Sequence, residues 1–144
     1  MTNSVRSLKV LADENRLRLL MLLKERELFV CQIMAVAGLS QSLVSRNLAL
    51  LEREGLLDSR RVGKQVFYRL KKDLSPTIAA LVAAVAATTL GESVFVRDSE
   101  NLGLFCRRFL RGTVCDMETV KAFIIFKNKN QGAKHGKTGQ ESVH

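Results

Sequence analysis

Apolar residues in the first third of the chain recur at three- and four-residue steps. Val5, Leu8, Leu11 and Ala12 keep that spacing and predict a short first helix. Asp13 is a suitable N-cap for a second helix over residues 15–26. There Leu17, Leu20, Met21 and Leu23 make a wide apolar stripe, and Arg16, Arg18, Lys24 and Arg26 are expected to stay in water. Residues 28–38 predict a third, shorter helix with Ile33, Met34 and Ala37 turned inward and Gly38 as its C-terminal stop. Ser40 caps a fourth helix, in which Val44, Leu48 and Leu51 hold an i, i+4, i+7 stripe until Gly55 ends it.

After Gly55 the period changes to two. Residues 57–61 and 65–70 alternate around Val62, Gly63 and Lys64, which predicts a β-hairpin with Leu57, Val66 and Tyr68 or their neighbours facing inward. Ser75 and Pro76 then open a fifth helix, as N-cap and first-turn proline, and residues 77–90 carry no charge on any face. A helix apolar all round should be buried all round. A small core covers only one side of it, so a second copy of the chain is expected on the other, with Val5, Leu8 and Leu11 joining the contact. Beyond Gly91 the pattern thins. Val94 and Val96 alternate briefly, residues 101–111 place Leu102, Phe105 and Phe109 on one helical face, and Thr113 with Asp116 opens a last helix reaching Phe126. From Lys127 no core-forming residue remains, which predicts a flexible polar tail.

Three parts follow: a folded domain over 1–91, a helical extension over 92–126 packed on the core or a dimer, and a tail over 127–144. The expected fold is mostly α with a small β-hairpin, a winged helix-turn-helix, with the first and fifth helices forming a dimer. In that motif the second helix of the pair enters a DNA groove. Its outward face here is Gln41, Ser42, Ser45, Arg46 and Ala49, preceded by Ser40. Gln and Arg can make bidentate contacts to base edges and Ser can reach phosphates, while the small side chains leave room for close approach. The hairpin carries Arg60, Arg61, Lys64 and Arg69 and is suited to phosphates or the adjacent minor groove. The plainer reading of both elements is a solvated helix face and a charge-protected hairpin.

Charge favours the first reading. The 144 residues include 23 Lys and Arg against 14 Asp and Glu, a formal net charge of +9, which suits a polyanionic partner such as double-stranded DNA. At 47% hydrophobic the chain can build a core. The uncharged run 74–90 falls short of the roughly 30 Å hydrocarbon core of a bilayer, so no membrane partner is expected. The polar start, without an apolar signal region, points to a cytoplasmic protein. Cys31, Cys106 and Cys115 are odd in number and widely spaced, so they read as thiols that are structural, ligating or reactive rather than as a disulfide framework. The two histidines, His135 and His144, fall in the polar end, which argues against a zinc finger or a His-based catalytic site. An enzyme is not expected, because the chain after Leu90 is too short for a nucleotide-binding α/β domain and has no glycine-rich phosphate loop.

Residues 8–70 closely resemble the ArsR/SmtB family of winged-helix repressors. LADENRLRLLMLL is similar to its second helix, SQSLVSRNLALLEREGLL to its recognition helix and RRVGKQVFYRL to its wing. The resemblance implies a homodimer seated on an operator near its own gene and released by an inducer, usually a metal or metalloid ion. It also implies DNA contacts at Ser40, Gln41, Ser42, Ser45, Arg46, Arg60, Arg61 and Lys64. The inducer site departs from the pattern. Arsenical sensors of this family carry Glu-Leu-Cys-Val-Cys-Asp-Leu-Cys where this chain has Glu27, Leu28, Phe29, Val30, Cys31, Gln32, Ile33 and Met34, so only the middle thiol remains. The zinc sensors' Asp/His set on the last helix is missing, since residues 76–90 hold no Asp, Glu, His or Cys. As(III) or another thiophilic ion wants two or three thiolates, so Cys31 would need Cys106, Cys115 or both. Cys31 therefore has three readings: a ligand in a remodelled trithiolate site, a redox-sensing thiol that pairs with a C-terminal cysteine, or a plain buried cysteine. A winged helix that binds only protein is the remaining alternative for the whole chain.

Overall fold

The computed structural model describes residues 3–109 and 117–135. Helix α1 (Asn3–Leu11) leads into α2 (Glu14–Glu25), whose first turn is capped by Asp13 Oδ1 accepting from Arg16 N at 3.0 Å. A two-residue strand β1 (Leu28–Phe29) precedes α3 (Val30–Ala37), and α4 (Gln41–Arg53) follows across a tight turn. Strands β2 (Leu57–Val62) and β3 (Gln65–Leu70) form the hairpin, and α5 (Pro76–Thr89), α6 (Ser93–Arg108) and α7 (Met117–His135) complete the chain.

The core lies between α2, α3 and α4. Leu19, Leu20, Ile33, Val36, Val44, Leu48 and Leu51 are all wholly excluded from solvent. The expected stripe of α4 is therefore its buried face. Removing several such leucines and valines from water, each worth about 1.5–3 kcal/mol, is what holds this helix on the core. Two glycines terminate the helices of this unit. Gly38 takes φ +68° as the C-cap of α3, and Gly55 takes φ +80° after α4. At the latter, Leu56 N donates to Leu51 O at 2.9 Å and Gly55 N to Glu52 O at 3.0 Å, the paired bonds of a Schellman ending.

Several sequence expectations change. Residues 28–29 do not start the third helix. They pair antiparallel with β3, Leu28 opposite Tyr68 and Phe29 opposite Phe67, giving a three-stranded sheet in the order β1-β3-β2. A two-residue strand has no period to read, and its partner lies about forty residues away. The helix starts at Val30 instead, and Gln32 in its first turn reaches back, its Oε1 accepting from Phe29 N at 2.9 Å. Arg18 is not in water. It is buried, because Asp98 from α6 folds over it. Leu11 belongs to the chain's own core, at 6% exposure, while Val5 and Leu8 of the same helix stay open.

The extension also differs. Val94 and Val96 are helical, and α6 runs unbroken from Ser93. Phe95, Leu102 and Phe105 of α6 are buried, and Phe105 meets Phe123 of α7 edge-on with ring centroids 5.1 Å apart. The polar tail expected from Lys127 begins inside α7, which continues to His135. Lys127 itself is half-buried and bonded to α3. An apolar stripe marks where a helix is held down, and polar helix-formers extend it beyond that anchor at little cost. The remainder of the expected tail, 136–144, lies outside the described residues.

Helix α5 is not buried all round within one chain. Of its residues only Val82 and Thr89 are buried, and Ala79, Ala80, Ala83, Ala84 and Ala87 are exposed, followed by Leu90 at 78%. Ser75 caps it, its Oγ accepting from Ile78 N at 3.4 Å. None of the described helices is long and apolar enough to cross a membrane; α5 and α6 together have the composition but bend by 97° at their junction.

Candidate nucleic-acid interface

Helix α4 is mounted by its buried stripe, so its opposite side is free. Gln41, Ser42, Arg46 and Ala49 are exposed and Ser45 is half-exposed. Ser40 starts the helix by accepting Leu43 N at 3.3 Å on its Oγ, and that oxygen stands 3.5 Å from Ser42 Oγ. The cap leaves the hydroxyl hydrogen of Ser40 available for donation. Arg46 makes no ion pair among the described residues. Its guanidinium is thus unspent, at the surface, on a face with little bulk around it.

The hairpin stands beside this face. Its strands pair from Leu57↔Leu70 to Val62↔Gln65, leaving Gly63 and Lys64 as the two-residue turn, with Gly63 at φ +62°. That left-handed geometry matches the twist of the strands and needs no side chain at its first position. Arg61 and Lys64 are exposed at the tip and, among the described residues, enter no ion pair. Arg60 is different. Its Nε donates to Glu27 Oε1 at 2.6 Å, and its guanidinium lies over the Phe67 ring at 4.6 Å from the centroid. Phe67 in turn contacts Phe29, with ring centroids 3.8 Å apart. Arg60 therefore stiffens the hairpin against β1. Arg69 likewise faces Asp58, at 3.8 Å. Sequence reading could not separate these four cations, because the pairing of Arg60 depends on Glu27 arriving from outside the hairpin and that of Arg69 on the strand register that sets it opposite Asp58.

Cys31 lies in the first turn of α3 and lines a surface hollow with Met34, Gln41, Ser45, Lys64 and Tyr68. Burial pushes the Tyr68 hydroxyl above its ordinary pKa. The hollow lies between α3, the first turn of α4 and the wing, so the thiol shares a wall with two residues of the exposed face of α4 and with the hairpin tip. Cys106 sits on α6, where Arg26 Nη1 donates to its Sγ at 2.8 Å. Among the described residues no three His, Cys, Asp or Glu side chains come together as a metal site. Cys31 and Cys106 are thus not joined in a three-ligand group, and Cys115 lies outside the described residues.

A helix pair joined by a glycine turn, an exposed lean second helix and a basic two-stranded wing define a winged helix-turn-helix protein. The chain belongs to the ArsR family: residues 13–59 match the family described as "Bacterial regulatory protein, arsR family". It is similar to the arsenical resistance operon repressor of Escherichia coli, 47% identical over 78 residues, 54% of this chain and 63% of that protein. The match therefore spans less than two thirds of that relative's length. The biofilm growth-associated repressor of Agrobacterium fabrum is 36% identical over 95 residues, 66% of this chain and 74% of that protein. Among solved structures, reduced HlyU from Vibrio cholerae aligns with TM-score 0.54 and 34% identity over 61% of this chain and 90% of that one. These relatives are transcriptional regulators and not enzymes.

Proposed function

We propose that the chain is a sequence-specific DNA-binding transcriptional repressor, working as a homodimer on an operator and released by an inducer that acts at Cys31. The observation that carries the DNA reading is the pairing of the exposed, small-residue face of α4 with a wing tip whose Arg61 and Lys64 are unengaged. Gln41, Ser45 and Arg46 would read base edges, and Ser40, Ser42, Arg61 and Lys64 would hold phosphates. Arg60, already engaged by Glu27, would set the angle of the wing. The relatives, by name an arsenical resistance operon repressor and a biofilm growth-associated repressor, support the same assignment.

Dimerisation is supported by the uncovered alanine face of α5, which ends in exposed Leu90. Arsenite or another thiophilic metal ion is the favoured inducer, with Cys31 as a ligand and Cys106 or Cys115 as the further thiols, within one chain or across the dimer. An oxidised Cys31 is the second reading, favoured by the same hollow. A group bound at Cys31 would enter the hollow that Gln41, Ser45 and Lys64 also line, side chains assigned here to DNA. A gel shift on the promoter beside its own gene, repeated with arsenite, divalent metals and an oxidant, separates these readings. Release by one of them, abolished in Cys31→Ser, is the expected result. No sequence preference in a selection from random duplexes would replace the repressor with a protein-binding module.

A further inference from the structure

A helix leaves its last four carbonyls without partners from its own turns. In α3 each of the four has an identifiable donor. Met34 O accepts from Gly38 N at 2.9 Å, within the turn itself. The other three are served from outside the helix-turn-helix: Ala35 O by Lys127 Nζ of α7 at 2.9 Å, Val36 O by Asn101 Nδ2 of α6 at 3.2 Å, and Ala37 O by Arg18 Nη2 of α2 at 2.7 Å. Two of these donors are cations at the negative end of the helix dipole. Arg18 is itself fixed by Asp98, Nε to Oδ2 at 2.7 Å and Nη2 to Oδ1 at 2.8 Å, a bidentate pair with both side chains nearly excluded from solvent. The Lys127 ammonium also lies against the turn, 3.4 Å from where a Cβ on Gly38 would be.

Gly38 is followed only by Leu39 and the cap Ser40 before α4 begins. The end of α3 therefore fixes the point from which α4 starts, while the buried stripe of Val44, Leu48 and Leu51 seats its length on the core. We propose that α6 and α7 form a clamp on the helix-turn-helix, with Asp98, Asn101 and Lys127 as positioning residues that hold the end of α3 and so the angle at which α4 is presented. The clamp's consequence for DNA rests on the function proposed above; its effect on the turn does not. The C-terminal extension is on this account part of the reading head, and anything that moves α6 or α7 changes how α4 meets a duplex.

Lys127→Met in the full chain tests this, because Lys127 is half-exposed and its loss spares the buried Arg18–Asp98 pair. Two readouts are used: amide hydrogen exchange at Gly38 and Leu39 without DNA, and affinity for an operator selected with the wild-type chain against affinity for an unrelated duplex. The clamp predicts faster exchange at the turn, a loss of about tenfold in operator affinity and a loss of only about twofold on the unrelated duplex, as expected for one charge. Lys127→Arg should restore both readouts, and Asn101→Leu should reproduce them in part. Unchanged exchange at the turn overturns the clamp, as does an equal loss on both duplexes or a failure of arginine to rescue. A wild-type chain that selects no duplex would overturn the DNA reading, while the exchange measurement would still decide the clamp.

Discussion

Arg18 and Arg46 are the same residue type given opposite tasks by their surroundings. Arg18 is buried against Asp98, whose hydrogen bonds hold the guanidinium above its ordinary pKa despite the cost of burial. Converting Asp98 to Asn leaves that charge without its counterion, and chemical denaturation should record a loss of about 3–5 kcal/mol. Arg46 has no such duty and is exposed. Arg46→Ala should leave the melting point in place and cost about 1–3 kcal/mol on the operator, with a much smaller loss on unrelated duplex, in parallel binding titrations. Lys127 can be tested by pH. Burial lowers its pKa from 10.5, and neighbouring Arg18 and Arg97 push the same way while Asp98 opposes them. A lysine with a lowered folded-state pKa binds fewer protons folded than unfolded, so its penalty is full below the folded value and fades as pH rises toward 10.5. The stability of the wild type relative to Lys127→Met should therefore increase with pH across that alkaline window; a flat difference would contradict the burial of the ammonium.

Among the elements, α4 is the most legible in sequence, since its cap, its stripe and its glycine stop are all local signals. The stop can be measured. Gly55 holds φ +80° with nothing within 4 Å of the position a Cβ would take, so Gly55→Ala carries only the left-handed backbone cost, about 1–2 kcal/mol by denaturant midpoint. Strand β1 is not legible, because Leu28 and Phe29 continue an apolar run and become a strand only when β3 lies beside them. The start of α6 is hidden for a related reason: Val94 and Val96 alternate over too few residues to separate a strand from a helix. The candidate interface shows the same division. Its exposed face on α4 follows from periodicity, whereas the engagement of Arg60 by Glu27 requires the folded sheet.

At the scale of the whole molecule, the uncovered side of α5 sets the next test. The proposed homodimer predicts that a charge in the middle of that alanine face, as in Ala83→Glu, leaves helix content unchanged and shifts sedimentation equilibrium from dimer to monomer; an unaltered dimer would move the interface elsewhere. The chain's own pattern of apolar periods, caps and glycines determined the helix-turn-helix, its wing and the face that α4 turns outward, because those properties depend on residues within a few positions of one another. Tertiary structure alone decided that Arg18 is buried, that Arg60 braces the wing, that Cys31 shares a hollow with Gln41 and Ser45, and that α6 and α7 close over the end of α3. Each of those meetings joins residues from different elements of the fold. Neither partner's composition or spacing encodes the meeting; only the packing of the core brings them together.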